Sequence, residues 1–375
     1  MTRRLRIGID AHAIGEHKTG NERFIANVIP ALRERCDHEL VLYFTHEPAA
    51  RSWPRSAGTS VRVLRPANPL IRIPAVLPWH AARDHLDVLF VQYTGPPICP
   101  CPVVTVVHDV AFAVHPEFFS PRERLWMGRT IPATMRRAAG IVTVSEFSRD
   151  EIARVYGIPP SLVDVAYDGL DPRFAAASAH PSPVEPPFFL AVGNLQPRKN
   201  LATLVRAYAR LLERHPDVAE RLVIVGQEWF RAEDLYRETE PLVRSGRVAF
   251  TGYVGDDDLA GLMAGATAFA YPSTYEGFGL PVIEAMSMGA PTLVSDIAVM
   301  REVAADAALR VAATDVDAWA DALHRVATDA GLRRSLTERG RARAPRFSWG
   351  ACAEQVLRVL ERAATRGRRS RGAAP

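Results

Sequence analysis

Long apolar runs are missing from this chain. Nothing in it reaches the roughly 18 consecutive apolar residues of a membrane-spanning helix. The opening Met-Thr-Arg-Arg-Leu-Arg-Ile-Gly-Ile-Asp passes from basic residues straight into a strand, with no apolar core long enough for a secretory signal. The expected compartment is therefore the cytoplasm. Cysteine is scarce, four in 375 residues, which fits a reducing compartment. Cys99-Pro-Cys101 has no second pair at metal spacing, so no zinc site is expected. The Gly-x-Gly-x-x-Gly fingerprint of dinucleotide dehydrogenases is absent after the first strand, which counts against hydride transfer. A metal-binding Asp-x-Asp at a strand end is lacking too. The acid run Asp256–Asp258 directly precedes an apolar helix start, where capping and pairing with the helix dipole account for it. Charge of one sign is not in excess: the formal net charge is +4, and no nucleic-acid partner is expected. The one basic concentration, Arg366-Gly-Arg-Arg-Ser-Arg371, reads as a disordered tail, with attachment to anionic lipid as the alternative.

What remains is the composition of an ordinary soluble globular protein, 48% hydrophobic and 23% charged, with a length that suits two domains better than one. Short apolar strands are expected at Leu5–Ile9, Glu39–Phe44, Val61–Leu64, Val88–Val91, Val103–Val107, Ile141–Val144 and Val163–Tyr167. A helix from about Asn21 to Arg35 carries Phe24, Val28, Ile29 and Leu32 on one face. Ile71 to Asp84 reads as a helix broken by Pro74 and Pro78. Pro121 to Ala139 carries Leu125, Trp126, Ile131 and Met135 among five arginines; core for the stripe and solvent for the arginines is favoured over a membrane-surface helix. Residues 175–187 have no apolar periodicity and are rich in proline, the marks of a linker. Strands follow at Phe188–Val192, Leu222–Val225, Val248–Thr251, Ala266–Ala270 and Pro291–Val294, with helices at Leu201–Arg214, Leu280–Met288, Val316–Ala327, Gly331–Ala344 and Ser348–Arg362. Strand–helix alternation in both halves predicts an α/β protein of two parallel-sheet domains, residues 1–174 and 188–346.

The stretch that organises the second half is Tyr271-Pro-Ser-Thr-Tyr-Glu-Gly-Phe-Gly-Leu-Pro-Val-Ile-Glu284. It reads as strand, glycine loop and helix, with Pro281 in the first helical turn and Gly289 as the stop. Such a loop aims backbone N–H groups and the positive end of a helix dipole at one point, which suits a phosphate. Glu276 sits at the loop mouth and Glu284 about one turn into the helix, roughly 6 Å further along its axis. Two carboxylates beside an anion pocket repel the anion unless they bind something else, and sugar hydroxyls are the natural candidates. A strand-to-helix turn with two solvated glutamates is the plainer alternative. Upstream, Gly193-Asn-Leu-Gln-Pro-Arg-Lys-Asn200 places Arg198 and Lys199 at another strand-to-helix turn, a bidentate and a point-charge partner for phosphate. His108-Asp109 follows the strand Val103–Val107, so His108 points to the ligand side of an open sheet. The plainer alternative there is that Asp109 caps a turn and His108 is a satisfied polar neighbour.

Glu-x7-Glu in the setting Tyr-Glu-Gly-Phe-Gly-Leu-Pro-Val-Ile-Glu-Ala resembles the signature of the retaining family-4 glycosyltransferases. The likeness extends through Thr-Val-Ser-Glu-Phe-Ser and Asp-Gly-Leu-Asp to nearly the whole chain. The resemblance implies the GT-B fold, two Rossmann-like domains facing across a cleft, with the final helix, 347–365, packing back on an amino-terminal acceptor domain. It implies a nucleoside diphosphate sugar as donor substrate, no cofactor and no metal, and a glycan, lipid-linked or small-molecule acceptor; the basic tail and the arginine-flanked helix leave peripheral contact at the inner face of the membrane as an alternative to a purely cytoplasmic enzyme. Arg198 and Lys199 then fall on the diphosphate, Glu276 and His108 on the donor sugar and Glu284 on the ribose. Gly20, Gly193, Phe278, Gly279 and Leu280 complete the donor site. Where the family often shows two adjacent glycines, this chain has Thr-Gly-Asn-Glu around Gly20. The likeness is greatest to mannosyl- and rhamnosyl-type members, which favours a guanosine diphosphate sugar. Two alternatives stay open: an epimerase or hydrolase of sugar nucleotides on the same fold, and a non-catalytic nucleotide-sugar binding protein.

Overall fold

The structure is a computed structural model that describes residues 3–15, 20–176, 181–228 and 232–372. Four residues of the first loop, 16–19, and four of the expected linker, 177–180, lie outside the described residues. The chain forms two compact units. Residues 1–116, 120–169 and 349–375 make the first; residues 117–119 and 170–348 make the second.

In the first unit, seven described strands pair in parallel: β1 (Arg6–Asp10), β2 (Glu39–Phe44), β3 (Thr59–Val63), β4 (Val88–Gln92), β5 (Val103–Val106), β6 (Gly140–Thr143) and β7 (Val163–Val165), in the order β3-β2-β1-β4-β5-β6-β7. Central strands such as β4 are buried along their whole length, which is why Val-Leu-Phe-Val reads as a continuous apolar run rather than an alternation. The final helix, Trp349–Gly372, belongs to this unit. Its buried residues Cys352, Ala353, Val356, Val359, Leu360 and Ala363 recur at helical spacing. Val359 packs so closely on β6 that a Cβ at Gly140 would stand 2.5 Å from its Cγ1. His38 reaches Glu361 at 3.0 Å, and Arg362 pairs with Asp164.

Two expectations change here. The backbone of the basic run at 366–371 continues the helix to Gly372 instead of leaving it as a disordered tail. Pro74 and Pro78 do not break their segment. Pro69–Ile71, the wider π-helical turn Arg72–Val76 and Leu77–Arg83 follow one another without interruption. In the π turn the Leu77 N–H reaches back to the Arg72 carbonyl, and Pro78 falls at the start of the next helix, where no N–H is missed.

In the second unit, six described strands, β8 (Phe188–Val192), β9 (Arg221–Val225), β10 (Val248–Gly252), β11 (Ala268–Tyr271), β12 (Thr292–Ser295) and β13 (Leu309–Val311), run parallel in the order β10-β9-β8-β11-β12-β13. Both sheets thus have the parallel α/β form expected from the alternation. The sequence reading passed over β13, a three-residue edge strand, and the helix Ala232–Arg244. That helix had its own signal: Glu233 and Asp234 in the first turn, then buried Leu235 and, one residue on, Tyr236 with its ring edge on Phe250 at 5.0 Å.

The sheet's ligand-side edge depends on a backbone contact. After β8 and β9 the chain turns at Gly193 and Gly226, and a Cβ on Gly226 would lie 2.0 Å from the Gly193 carbonyl oxygen. Gly226→Ala must therefore push the two turns apart. Urea denaturation should show a loss of about 1–3 kcal/mol, the scale of an overpacked site, whereas Gly246→Ala, with open space around its Cβ, controls for backbone conformation. Equal losses in both variants would refute the close-approach explanation.

Candidate functional site

The site in the second unit grows from the carboxyl ends of β8 and β11, neighbours in the middle of the sheet. Beyond β11, Gly279 takes φ 105°, a left-handed conformation that a side chain would strain. It serves as N-cap of the helix Leu280–Met288 without offering a side-chain oxygen to the first-turn amides. Phe278 anchors the loop: it is buried, and its ring meets Phe347 edge-on at 5.2 Å. Gly289 closes the helix in the left-handed region, donating to the Ala285 and Met286 carbonyls.

Beyond β8, a short 3-10 turn, Pro197–Lys199, ends at Asn200, itself left-handed at φ 53°. The Asn200 amide fixes this turn to its neighbours, donating to the Pro272 carbonyl at 3.0 Å and the Ala313 carbonyl at 2.7 Å. Lys199 is thereby delivered to Glu276. Its Nζ donates to Glu276 Oε1 at 2.6 Å and to the Tyr271 hydroxyl at 2.8 Å. Arg198 Nη1 stands 3.5 Å from Glu276 Oε2. Gly193 leaves room for this arrangement, since a Cβ there would meet the Lys199 side chain at 3.2 Å. Burial pushes the Glu276 carboxyl upward, but Arg198 and Lys199 outweigh it and bring the group down to about 2. Glu276 is therefore a carboxylate at neutral pH, and the trio carries one net positive charge at the carboxyl ends of the two central strands. Glu284 is buried on the helix Leu280–Met288.

The sequence reading missed Arg173. It grips Asp171 through two bonds, Nε to Oδ1 at 3.0 Å and Nη2 to Oδ2 at 2.6 Å, and pairs with Asp256. Hydrogen bonding to Asp171 first, then the charges of Asp171, Asp256 and Glu284, raise it well above the usual guanidinium range. Its place two residues after Asp-Gly-Leu-Asp was the available signal. The acids at 256–258 fill a first helical turn, as dipole pairing requires, but the N-cap is Gly255 and no side chain caps it. Among the described residues no group of three or more His, Cys, Asp or Glu is placed to hold a metal ion.

Two of the named residues belong to the first unit. Gly20 opens the helix Gly20–Arg35 with no atom of the described residues within 4 Å of a would-be Cβ. His108 follows β5 and is buried. Its Nε2 lies 2.9 Å from Gln92 Oε1 at the end of β4, and its ring meets Phe24 edge-on at 4.8 Å. Burial without a charged partner lowers it to about 3, so the imidazole is neutral. Asp109 accepts from the Ala111 N–H at 3.0 Å, so the turn-capping alternative holds for that residue. In the arginine-flanked helix, Pro121–Arg137, Ile131 and Met135 are buried as expected. Leu125 is not core: it is 56% exposed.

Comparison with known proteins fits this geometry. Residues 173–343 match the family model for glycosyl transferases group 1, and residues 19–174 match that for Glycosyltransferase Family 4. O-antigen chain mannosyltransferase B of Escherichia coli is 34% identical over 294 residues, 75% of this chain and 76% of that one. O-antigen chain mannosyltransferase RfbU of Salmonella typhimurium is 28% identical over 220 residues, 59% of each. Among solved structures, sucrose-phosphate synthase from Thermosynechococcus elongatus aligns with a TM-score of 0.74 at 21% identity, over 99% of this chain and 100% of that one. HepE of Anabaena, solved with UDP and glucose, aligns at 0.71 and 19%, over 95% of this chain and 99% of that one. The chain belongs to the family-4, group 1 glycosyltransferases. It is a glycosyltransferase built from two parallel-sheet α/β domains of the GT-B kind.

Two of the buried groups contribute to the acid response in separate windows. His108 lies below its ordinary 6.5 in the folded protein. As pH falls from 6.5 toward 3 the unfolded chain takes up a proton that the folded one resists, so stability falls. Glu276 lies below its ordinary 4.5. Its contribution is complete above 4.5 and is lost as pH falls toward 2. Each group contributes up to about 1.4 kcal/mol per pH unit within its window. In urea titrations at stepped pH, His108→Gln should flatten the decline between 6.5 and 4.5, and Glu276→Gln only that below 4.5. An unchanged upper slope in His108→Gln would mean that the ring is not held neutral.

Proposed function

We propose that this glycosyltransferase is a retaining enzyme that moves a hexose, of mannosyl or rhamnosyl type, from a nucleoside diphosphate sugar to a glycan or lipid-linked acceptor. The observation that carries the reading is the Glu276–Lys199–Arg198 cluster beside an uncapped helix N-terminus. Departure of the nucleoside diphosphate builds negative charge on the β-phosphate and positive charge at the anomeric carbon. Arg198, Lys199 and the amides at Phe278, Gly279 and Leu280 oppose the first without a metal or cofactor. Glu276, ionised and anchored by Lys199, can only accept hydrogen bonds, which suits sugar hydroxyls whose donor strength grows as the sugar becomes cationic. Glu284, deeper along the helix, takes the ribose. His108, neutral and oriented by Gln92, holds the donor sugar. No side chain is assigned as a nucleophile; the acceptor attacks from the face the diphosphate leaves, which retains the anomeric configuration. Similarity to the two O-antigen mannosyltransferases supports mannose, and GDP-mannose is the donor of choice for testing. Exposed Leu125 among Arg122, Arg124 and Arg129 suits contact with an anionic surface that carries a lipid-linked acceptor.

Transfer from GDP-mannose should survive EDTA; activity lost with chelator and restored by manganese would overturn the assignment of the diphosphate to Arg198 and Lys199. Diphosphate release that needs an acceptor separates transfer from hydrolysis or epimerisation.

The two glutamates should differ in kind. Glu276→Gln is expected to lower kcat on the order of 100-fold, the scale of one well-placed transition-state contact. Glu284→Gln should chiefly raise the donor KM, by about 1–3 kcal/mol for a lost charged hydrogen bond. Steady-state kinetics with donor varied, on variants whose melting has been checked, gives both. The reverse pattern would sink the assignment.

A further inference from the structure

A cavity of about 730 Å³ lies at the amino ends of the second unit's strands, the end of the sheet opposite Lys199 and Glu276. Pro187, Thr267 and Pro291, each of which immediately precedes a strand (β8, β11 and β12), form part of its lining. The volume falls within the roughly 300–1,000 Å³ of small-molecule sites.

One wall is the helix Ala330–Arg343. Arg334, Thr337 and Arg341 stand at i, i+3 and i+7, so they share the face that lines the cavity. The two arginines are roughly 10 Å apart along the helix axis, near enough for both long side chains to reach one anion. Neither guanidinium has a hydrogen bond or ion pair among the described residues. Residues 177–180, Ala-Ser-Ala-His, lie outside the described residues and precede Ser182, which packs on Gly265 of the cavity wall; they hold no carboxylate that could pair with the arginines.

The wall is held in place by its neighbours. Thr337 Oγ donates to the Gly289 carbonyl at 2.8 Å, and a Cβ on Gly289 would stand 2.6 Å from Arg341 Nη2. Arg333, also in the lining, donates through Nη1 to the Val326 and Ala327 carbonyls at 2.7 Å and so closes the end of the preceding helix. Gly289 in turn ends the helix Leu280–Met288, whose other end carries the Gly279 loop.

Carboxylates line the cavity too. Glu220, only 9% exposed, and Glu338 face the same space as the arginines. Three guanidinium groups against two carboxylates leave a surplus of one positive charge. A bare polyanion would meet both carboxylates as well as the arginines. A phosphate joined to a hydroxyl-bearing ring satisfies the two kinds of group at once. Its phosphate oxygens accept from guanidinium N–H groups, and its hydroxyls donate to carboxylates, which can only accept.

We propose that this cavity binds a phosphorylated monosaccharide, its phosphate held by Arg334 and Arg341 and its hydroxyls by Glu220, at a site separate from the donor cluster. The site does not depend on which sugar nucleotide the donor cluster takes.

Titration calorimetry and thermal shift of the full chain with mannose 6-phosphate, inorganic phosphate and mannose, each alone, read the binding. Mannose 6-phosphate should bind about tenfold or more tighter than inorganic phosphate, the scale of one added charged hydrogen bond, and mannose should not bind measurably. In a folded Arg334→Gln/Arg341→Gln protein the sugar phosphate should weaken about 100-fold, the scale of two such bonds lost. Arg198→Gln should leave its affinity unchanged, because Arg198 stands at the other end of the sheet. Glu220→Gln should bring it down to the affinity of inorganic phosphate. If the double variant melts early, Arg334→Gln alone, at an exposed side chain, should still show a loss of about tenfold. No binding to wild type, equal affinity for the sugar phosphate and inorganic phosphate, or a loss in Arg198→Gln with none in the arginine variants overturns the proposal.

Discussion

A carboxylate held in a buried place by two cations is the interaction on which the second unit's site rests. Glu276 is almost wholly removed from water, and its charge survives because Lys199 and Arg198 are brought to it. Removing one partner of such a pair leaves an uncompensated buried charge, a loss of about 3–5 kcal/mol. Everything around the cluster serves its geometry. Asn200 ties the Lys199 turn to the end of β11, and Gly193 clears the path of the lysine side chain. Gly226 lets the turns after β8 and β9 touch.

The first unit uses the same device for the opposite end. Asp10 and Arg72 form a buried pair with His12 beside it, but here one carboxylate faces two potential cations, and little positive charge is left to offer a ligand. The two strand-end clusters thus differ in sign more than in architecture: a cationic surplus in the second unit and a near-neutral pairing in the first.

Much of this was legible in the residues. Tyr271 to Glu284 announces its strand, loop and helix through its glycines and Pro281, and the helix Leu280–Met288 has the bounds the spacing predicts. The parallel sheets follow from strand–helix alternation, since each apolar run is short and each helix has one apolar face. Local signals failed where the outcome depends on long-range partners. That Arg198 and Lys199 meet Glu276 is an interaction between segments about 77 residues apart. Pro74 and Pro78 mark a break in any isolated peptide, yet a π turn absorbs them because Arg72 is anchored to Asp10 on β1. Leu125 looks like core by spacing, and only the packing of its helix shows that the buried face begins further along, at Ile131. Edge strand β13 is too short to have a pattern.

The placement of Trp349–Gly372 in the first unit has a consequence for how the protein is made. Strands β1 to β7 are all synthesised before residue 170, but the apolar face that covers Gly140 arrives only after the whole second unit has been translated. At about 5–20 residues per second, the first sheet waits some ten seconds or more with part of its surface bare, while the second unit is continuous in sequence apart from a three-residue segment and can close on itself at once. The amino-terminal half is then the later of the two to mature.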